Sequence, residues 1–378
     1  MHTPYPLRLL LPICLHQRFA KRLMTVPVSG LMGPDDSLSR IRDQQVPLAG
    51  PVRYPELDVI KAAAIVAVVT IHSIRPFWLP DISEWEKLVL LATRFGVPAF
   101  LAVSGFLYFS PTPISFSTIL RRLRRVLLPY FFVSIAAAAY GHAYPGRLTV
   151  RSLWKGVLLG AFFGPYYYVF LLVTFIFASW VLCRLPRRPV TLLAAAALAT
   201  VFVSESWKPE MWKPFKSIWE VRNPLLWGGW FMLGWAAAAH RDWVFSFTRR
   251  YRTAILRLCG TYCIAWAILM GTGVLTGRPA RTGVVTLILT SIVGLFALRP
   301  RVQQIPHFVE QISDWTYSLY LLHPFFIYFF QDTVAPALGL TVVATTALSA
   351  LAGLLGALAV TILGRFVLGE RSRHVIGS

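Results

Sequence analysis

Apolar residues in this chain come in runs of about 15 to 23 positions, divided by short polar connections rich in arginine. Runs of that length match the thickness of a bilayer when wound as helix. They cover 57–76, 88–109, 126–142, 166–183, 190–204, 224–239, 254–275, 282–298, 314–331 and 341–363. The expected fold class is all-α, a polytopic transmembrane helical bundle of about ten spans. A further apolar stretch, Leu153 to Phe163, is too short to cross and is expected at the interface or as a re-entrant segment.

The connections orient the bundle. With both termini cytoplasmic, the cytoplasmic loops are Arg121-Arg122-Leu123-Arg124-Arg125, Arg184 to Pro189, Arg241 to Arg252, Arg299-Pro300-Arg301 and a basic tail over 366–378. This is the distribution the positive-inside rule requires. Counting Leu153–Phe163 as a span would turn the later arginine clusters outward. Residues 1–53 read as a disordered cytoplasmic tail: the apolar patch Leu9–Ile13 has no small-residue cleavage site after it. The transmembrane domain is expected over 54–365, with Met24 and Met32 open as later starts.

Composition agrees with that class. The 378 residues are 56% hydrophobic and 14% charged, too apolar for a soluble domain. The net charge of +21 is accounted for by cytoplasmic loops, so no nucleic-acid partner is expected. The four cysteines form no disulfide framework. Cys259 and Cys263 share a helix face but have no matching His or Cys pair, and are expected as small core residues, with no metal site. Walker, dinucleotide-binding, HExxH and nucleophile-elbow signatures are missing. Any chemistry must come from the membrane residues.

One stripe carries it. Asp58, Lys61, His72 and Arg75 fall near multiples of a helical turn in the first run, with eleven residues, roughly 16 Å of rise, from Lys61 to His72. Asp58 and Lys61 also suit the inner boundary of the span, and Arg75 the outer one. His72 lies within it, and an ionisable group in a bilayer points to function. Thr316, Tyr320 and His323 repeat the pattern at i, i+4 and i+7, at a depth where the two histidines can meet. Helix packing is the alternative use of His323. Arg121 to Arg125 holds two RxxR spacings, whose guanidinium forks suit phosphate. Lipid headgroups and topogenesis are the alternatives there.

These pieces resemble the membrane acyltransferase 3 family. Its opening helix, a basic residue, ten others and a histidine, is matched by Glu56-Leu57-Asp58-Val59-Ile60-Lys61 through Ile71-His72-Ser73. Phe95-Gly96-Val97-Pro98-Ala99-Phe100 with Ser104-Gly105-Phe106-Leu107, then Arg121 to Arg125 before Leu128-Pro129-Tyr130, follow in the family's order. Tyr166-Tyr167-Tyr168-Val169-Phe170-Leu171-Leu172 fits its aromatic segment, and Tyr317-Ser318-Leu319-Tyr320-Leu321-Leu322-His323 its late helix. There are departures. Lys61 stands where arginine is usual, giving a point charge in place of a planar fork, and the glutamate motif many members carry in the aromatic segment is missing. The chain resembles the stand-alone members that decorate exopolysaccharide, those acting on xanthan-type repeats among them.

The resemblance implies a multi-pass enzyme of the bacterial inner membrane that moves an acyl group, usually acetyl, from cytoplasmic acyl-CoA to a sugar hydroxyl on a nascent or lipid-linked polysaccharide. Acyl-CoA is then a co-substrate, and no bound cofactor is expected. Lys61, Arg121, Arg122, Arg124 and Arg125 would hold the donor. His72 and His323 would be catalytic, with His72 a general base or an acyl-accepting nucleophile. Arg75, Tyr167, Tyr168 and Tyr320 would line the acceptor side. The rival class is a glycan or lipid carrier, or an export-complex subunit, using the His72 stripe as a proton relay.

Overall fold

The computed structural model describes residues 53–74, 83–142, 150–203, 222–272, 281–298 and 305–378. The N-terminal tail up to residue 52, Arg75, and the Arg299–Arg301 connection lie outside the described residues. Among those described, every regular element is helical. Each of the ten apolar runs falls on helix: α1 (Pro55–Ser73), α2 (Glu84–Thr93), α3 (Gly96–Tyr108), α4 (Phe116–His142), α5 (Val150–Leu159), α6 (Tyr167–Leu182), α7 (Arg187–Val203), α8 (Pro224–Ala239), α9 (Arg241–Gly271), α10 (Arg281–Leu298), α11 (His307–Phe329) and α12 (Val342–Leu368), with a short α13 (Ser372–Val375). Of these, α5 and the short α13 lie on none of the ten.

Five helical stretches are long and apolar enough to cross a membrane: Glu84–Tyr108, Phe116–Tyr140, Gly164–Leu182, Arg241–Gly271 and Val342–Val375. Arg188–Phe202 and Thr282–Leu298 are apolar but shorter. Polar stripes keep α1 and α11 out of the first group. In α1, Pro55 opens the first turn and Glu56 and Asp58 sit there, where a fixed φ and negative charge both favour the positive end of the helix.

The helices from Tyr54 to Ser378 form one compact unit, with α1 at its centre, touching α2, α3, α10, α11 and α12. Ala64 and Ile65 are fully buried. Tyr54, at the start of α1, packs edge-on against Phe106, near the end of α3, at 5.2 Å, so these two helices run antiparallel. By contrast α11 runs with α1: its early Ser313 meets Asp58 and its later His323 meets His72. Helices α3 and α8 approach closely: a Cβ on Gly105 would strike the Phe231 carbonyl and one on Gly234 the Ala102 carbonyl. Small residues let two backbones touch in this way.

The short segment Leu153–Phe163 turns inward. Tyr130, eight residues or about 12 Å along α4 from Arg122, donates its hydroxyl to the carbonyls of Gly156 (2.9 Å) and Val157 (2.8 Å). The Arg222 guanidinium bonds the Leu159 carbonyl. These donors satisfy carbonyls that a helix C-terminus leaves open, so α5 stops at the depth of Tyr130. Gly160, at φ +61° against the Tyr166 carbonyl, reverses the chain, and a 3₁₀ turn over Gly164–Tyr166 leads into α6.

Candidate active site

Three elements of the polar stripes come together. At the arginine-rich end, Lys61 Nζ lies 3.1 Å from Asp58 Oδ1, and Ser313 Oγ donates to the same oxygen at 2.5 Å. Asp58 is buried and Lys61 is half-buried. An ammonium and a carboxylate one turn apart share their charge, and burial demands this pairing. Lys61 therefore stands as the cationic half of an ion pair.

Further along the same face, the rings of His72 and His323 stand 5.7 Å apart between centroids, tilted by 36°. His72 is half-buried and His323 is fully buried. The Nδ1 of His323 lies 3.2 Å from the Leu319 carbonyl, one turn back on its own helix. A carbonyl only accepts, so Nδ1 carries the proton and Nε2 presents its lone pair. That Nε2 is buried with no hydrogen-bond partner among the described residues. A buried acceptor left open costs stability.

Rings continue the line from His323. Tyr320 follows at 6.1 Å and Tyr168 at 5.4 Å from Tyr320, and the Tyr168 hydroxyl is 3.4 Å from Ser104 Oγ. Four of the residues picked from sequence, His72, His323, Tyr320 and Tyr168, thus form one connected row. The Tyr320 hydroxyl donates to the Pro165 carbonyl at 2.6 Å, which ties α11 to the turn before α6. Tyr167, about 100° round the helix from Tyr168, pairs instead with Trp227 at 5.8 Å. Arg75 lies outside the described residues.

The arginine cluster divides. Arg121, Arg124 and Arg125 are exposed, and Arg121 reaches Thr118 Oγ1 at 3.1 Å. Arg122 turns inward: Nη1 donates to the Tyr108 carbonyl and to Ser179 Oγ, each at 3.3 Å, and its guanidinium carbon sits 4.9 Å above the Tyr108 ring. It fastens α4 to α3 and α6.

Two prolines shape the walls. Pro129 in α4 and Pro324 in α11 each lack an N–H and open the preceding turn. In both helices the carbonyl three residues earlier accepts a tyrosine hydroxyl from a different element: Val126 from Tyr317 at 2.7 Å and Leu321 from Tyr166 at 2.6 Å. Among the described residues no three His, Cys, Asp or Glu side chains gather as metal ligands.

Sequence pattern did not single out Ser313, and it marked Tyr166 only as part of the aromatic segment. Ser313 precedes His323 by ten residues, near three turns, so the helical period that found His72 from Lys61 also reaches it. Tyr166 carried no such signal, because its partner is a backbone carbonyl.

A multi-pass membrane protein, helical in every regular element described, with a fully buried histidine beside a half-buried one and an ion pair on the same face, is the class these features define. A family model described as an acyltransferase domain matches residues 54–366, and the chain belongs to the membrane acyltransferase 3 family. No curated relative and no solved structure matches it.

Proposed function

We propose that this acyltransferase moves an acetyl or other short acyl group from cytoplasmic acyl-CoA to a sugar hydroxyl of an exported polysaccharide or its lipid-linked precursor, in a bacterial inner membrane. The observation that carries this reading is the His72–His323 pair, one ring half-buried and the other offering an open acceptor nitrogen.

On this reading the phosphates of CoA rest against Arg121, Arg124 and Arg125, as charge-assisted bonds from exposed guanidinium groups. Lys61 lies deeper and Arg122 shapes the floor. The arm carries the thioester toward His72, roughly 16 Å along α1 from Lys61. His72 takes the proton of the sugar hydroxyl as its oxygen attacks the thioester carbon. The C–S bond then breaks, and the thiolate leaves with that proton. Positioned base catalysis of this kind contributes about 10²–10⁴-fold. His323 Nε2 gives the His72 ring a fixed acceptor neighbour. Tyr168 and Tyr320 line the approach.

The test is transfer of radiolabelled acetyl from acetyl-CoA to a lipid-linked glycan by purified protein in nanodiscs, wild type against His72→Ala. Label on the glycan with wild type alone supports the reading. Equal transfer by both removes His72 from the chemistry, and label held on the protein without acceptor replaces the base by an acyl-histidine. In cells, a deletion that removes O-acetyl while export continues supports the enzyme. Loss of export itself favours the carrier.

A further inference from the structure

Beyond His323, α11 passes from α-helix into a π-helical turn over Phe330–Val334. Such turns are uncommon and recur at functional sites. Gln331 sits in it, eight residues after His323 and four after Ile327, hence on the face that already looks at α1. Its side-chain Nε2 donates to the Ser73 carbonyl at 2.7 Å and to Ser349 Oγ on α12 at 3.3 Å. Ser73 is the last residue of α1 and the neighbour of His72.

The end of α1 needs such help. The final carbonyls of a helix have no partner within it. In this turn the Ser73 hydroxyl answers the Thr70 carbonyl at 2.7 Å, and Gln331 answers Ser73's own. The chain beyond leaves helical geometry at once, with Ile74 extended at φ −75° and ψ 140°. His72 therefore stands in a final turn whose last carbonyl is held, among the described residues, by the Gln331 amide. Ser349 is buried and its hydroxyl is already engaged on its own helix, donating to the Thr346 carbonyl at 3.1 Å, so the Ser73 bond is the amide's contact with α1.

We propose that Gln331 is a positioning residue for the transfer reaction, holding the end of α1 so that the His72 ring keeps its place opposite His323. The inference rests on the catalytic reading of His72. Among the described residues the Gln331 amide bonds Ser73 and Ser349 and makes no hydrogen bond to either histidine ring. Its effect passes through the backbone of Ser73, and errors of an ångström in a reacting group cost up to about 10²-fold.

The test compares Gln331→Met, which keeps length and loses the donor, and Gln331→Glu, which keeps shape and turns donor into acceptor, with Ser349→Ala, which spares the Ser73 bond. Steady-state acetyl transfer is measured in nanodiscs with melting temperature followed in parallel. Both Gln331 variants should lose about 10- to 100-fold in kcat, with KM for acyl-CoA within about twofold of wild type and Ser349→Ala close to wild type. Unchanged kcat in Gln331→Met, while His72→Ala is inactive, overturns the positioning role and leaves the reading of His72 standing. An active His72→Ala instead removes the reading beneath it. Equal kcat losses in Ser349→Ala and Gln331→Met overturn it too, because they would assign the effect to α11–α12 packing.

Discussion

The His72 and His323 rings face each other at 5.7 Å from two helices, and the buried member of the pair spends one nitrogen on its own backbone while the other stays open. A core histidine serving only to pack would satisfy both nitrogens or give way to an apolar residue. An open buried acceptor costs stability, and that cost gives the pair a measurable signature.

The substitution His323→Leu should therefore separate stability from activity. Leucine fills similar space and removes the orphaned nitrogen, so the melting temperature should hold or rise, by the equivalent of about 1 kcal/mol or more. Acyl transfer should fall by about 10²–10⁴-fold. Thermal unfolding in detergent alongside the transfer assay checks both halves. A stable, fully active variant would return His323 to a packing role.

The ion pair near the arginine-rich end should show coupling. Lys61→Met alone should cost more stability than Lys61→Met made together with Asp58→Asn, since the second change relieves a buried carboxylate. A double-mutant cycle should give a coupling free energy of about 0.5–3 kcal/mol. Additive effects would mean that the 3.1 Å contact carries little.

Arg122 and its neighbours should divide by phenotype. Arg124→Gln with Arg125→Gln should raise the KM for acyl-CoA and flatten its dependence on salt, because counterions compete with exposed guanidinium contacts. Arg122→Gln should instead lower the melting temperature, through loss of its bonds to Tyr108 and Ser179. Kinetics at two ionic strengths, with unfolding curves, distinguish the two groups.

Glycine substitutions should differ as sharply. Gly234→Ala drives a methyl into the Ala102 carbonyl and should abolish the folded protein, visible as loss of the monodisperse peak in gel filtration. Gly260 in α9 has nothing within 4 Å of a built Cβ. Gly260→Ala should be tolerated, with a gain of about 1 kcal/mol at most from helix propensity.

Helix positions were legible because apolar runs of bilayer length leave little choice: every connection must be made inside the segment. The approach of His72 to His323 was legible for a related reason. Helical period fixes which face a residue occupies, and rise per residue fixes its depth. Arg122 was harder. Sequence spacing pairs it with Arg125 just as it pairs Arg121 with Arg124, and only the position of α3 and α6 turns one guanidinium inward and leaves its neighbours exposed. The inward end of α5 was open between two readings, since a ten-residue amphipathic helix suits the interface and the interior alike until Tyr130 and Arg222 supply donors to its final carbonyls. Gln331 lay on the same face as His323, yet its partner is a backbone oxygen, and side-chain patterns do not report those.

The bond from Ser313 to Asp58 spans 255 positions of the chain, and this has a consequence for biosynthesis. The first helix must enter the membrane long before its eleventh partner is translated. During that interval Asp58 has Lys61 within one turn of its own helix, a counter-ion carried along by the same segment, so the stripe can wait in the bilayer with its charges matched. A ribosome stalled before His307 would hold a chain with the ion pair but neither Ser313 nor His323. Such a chain would carry the stripe of α1 without the face of α11 that completes the paired histidines.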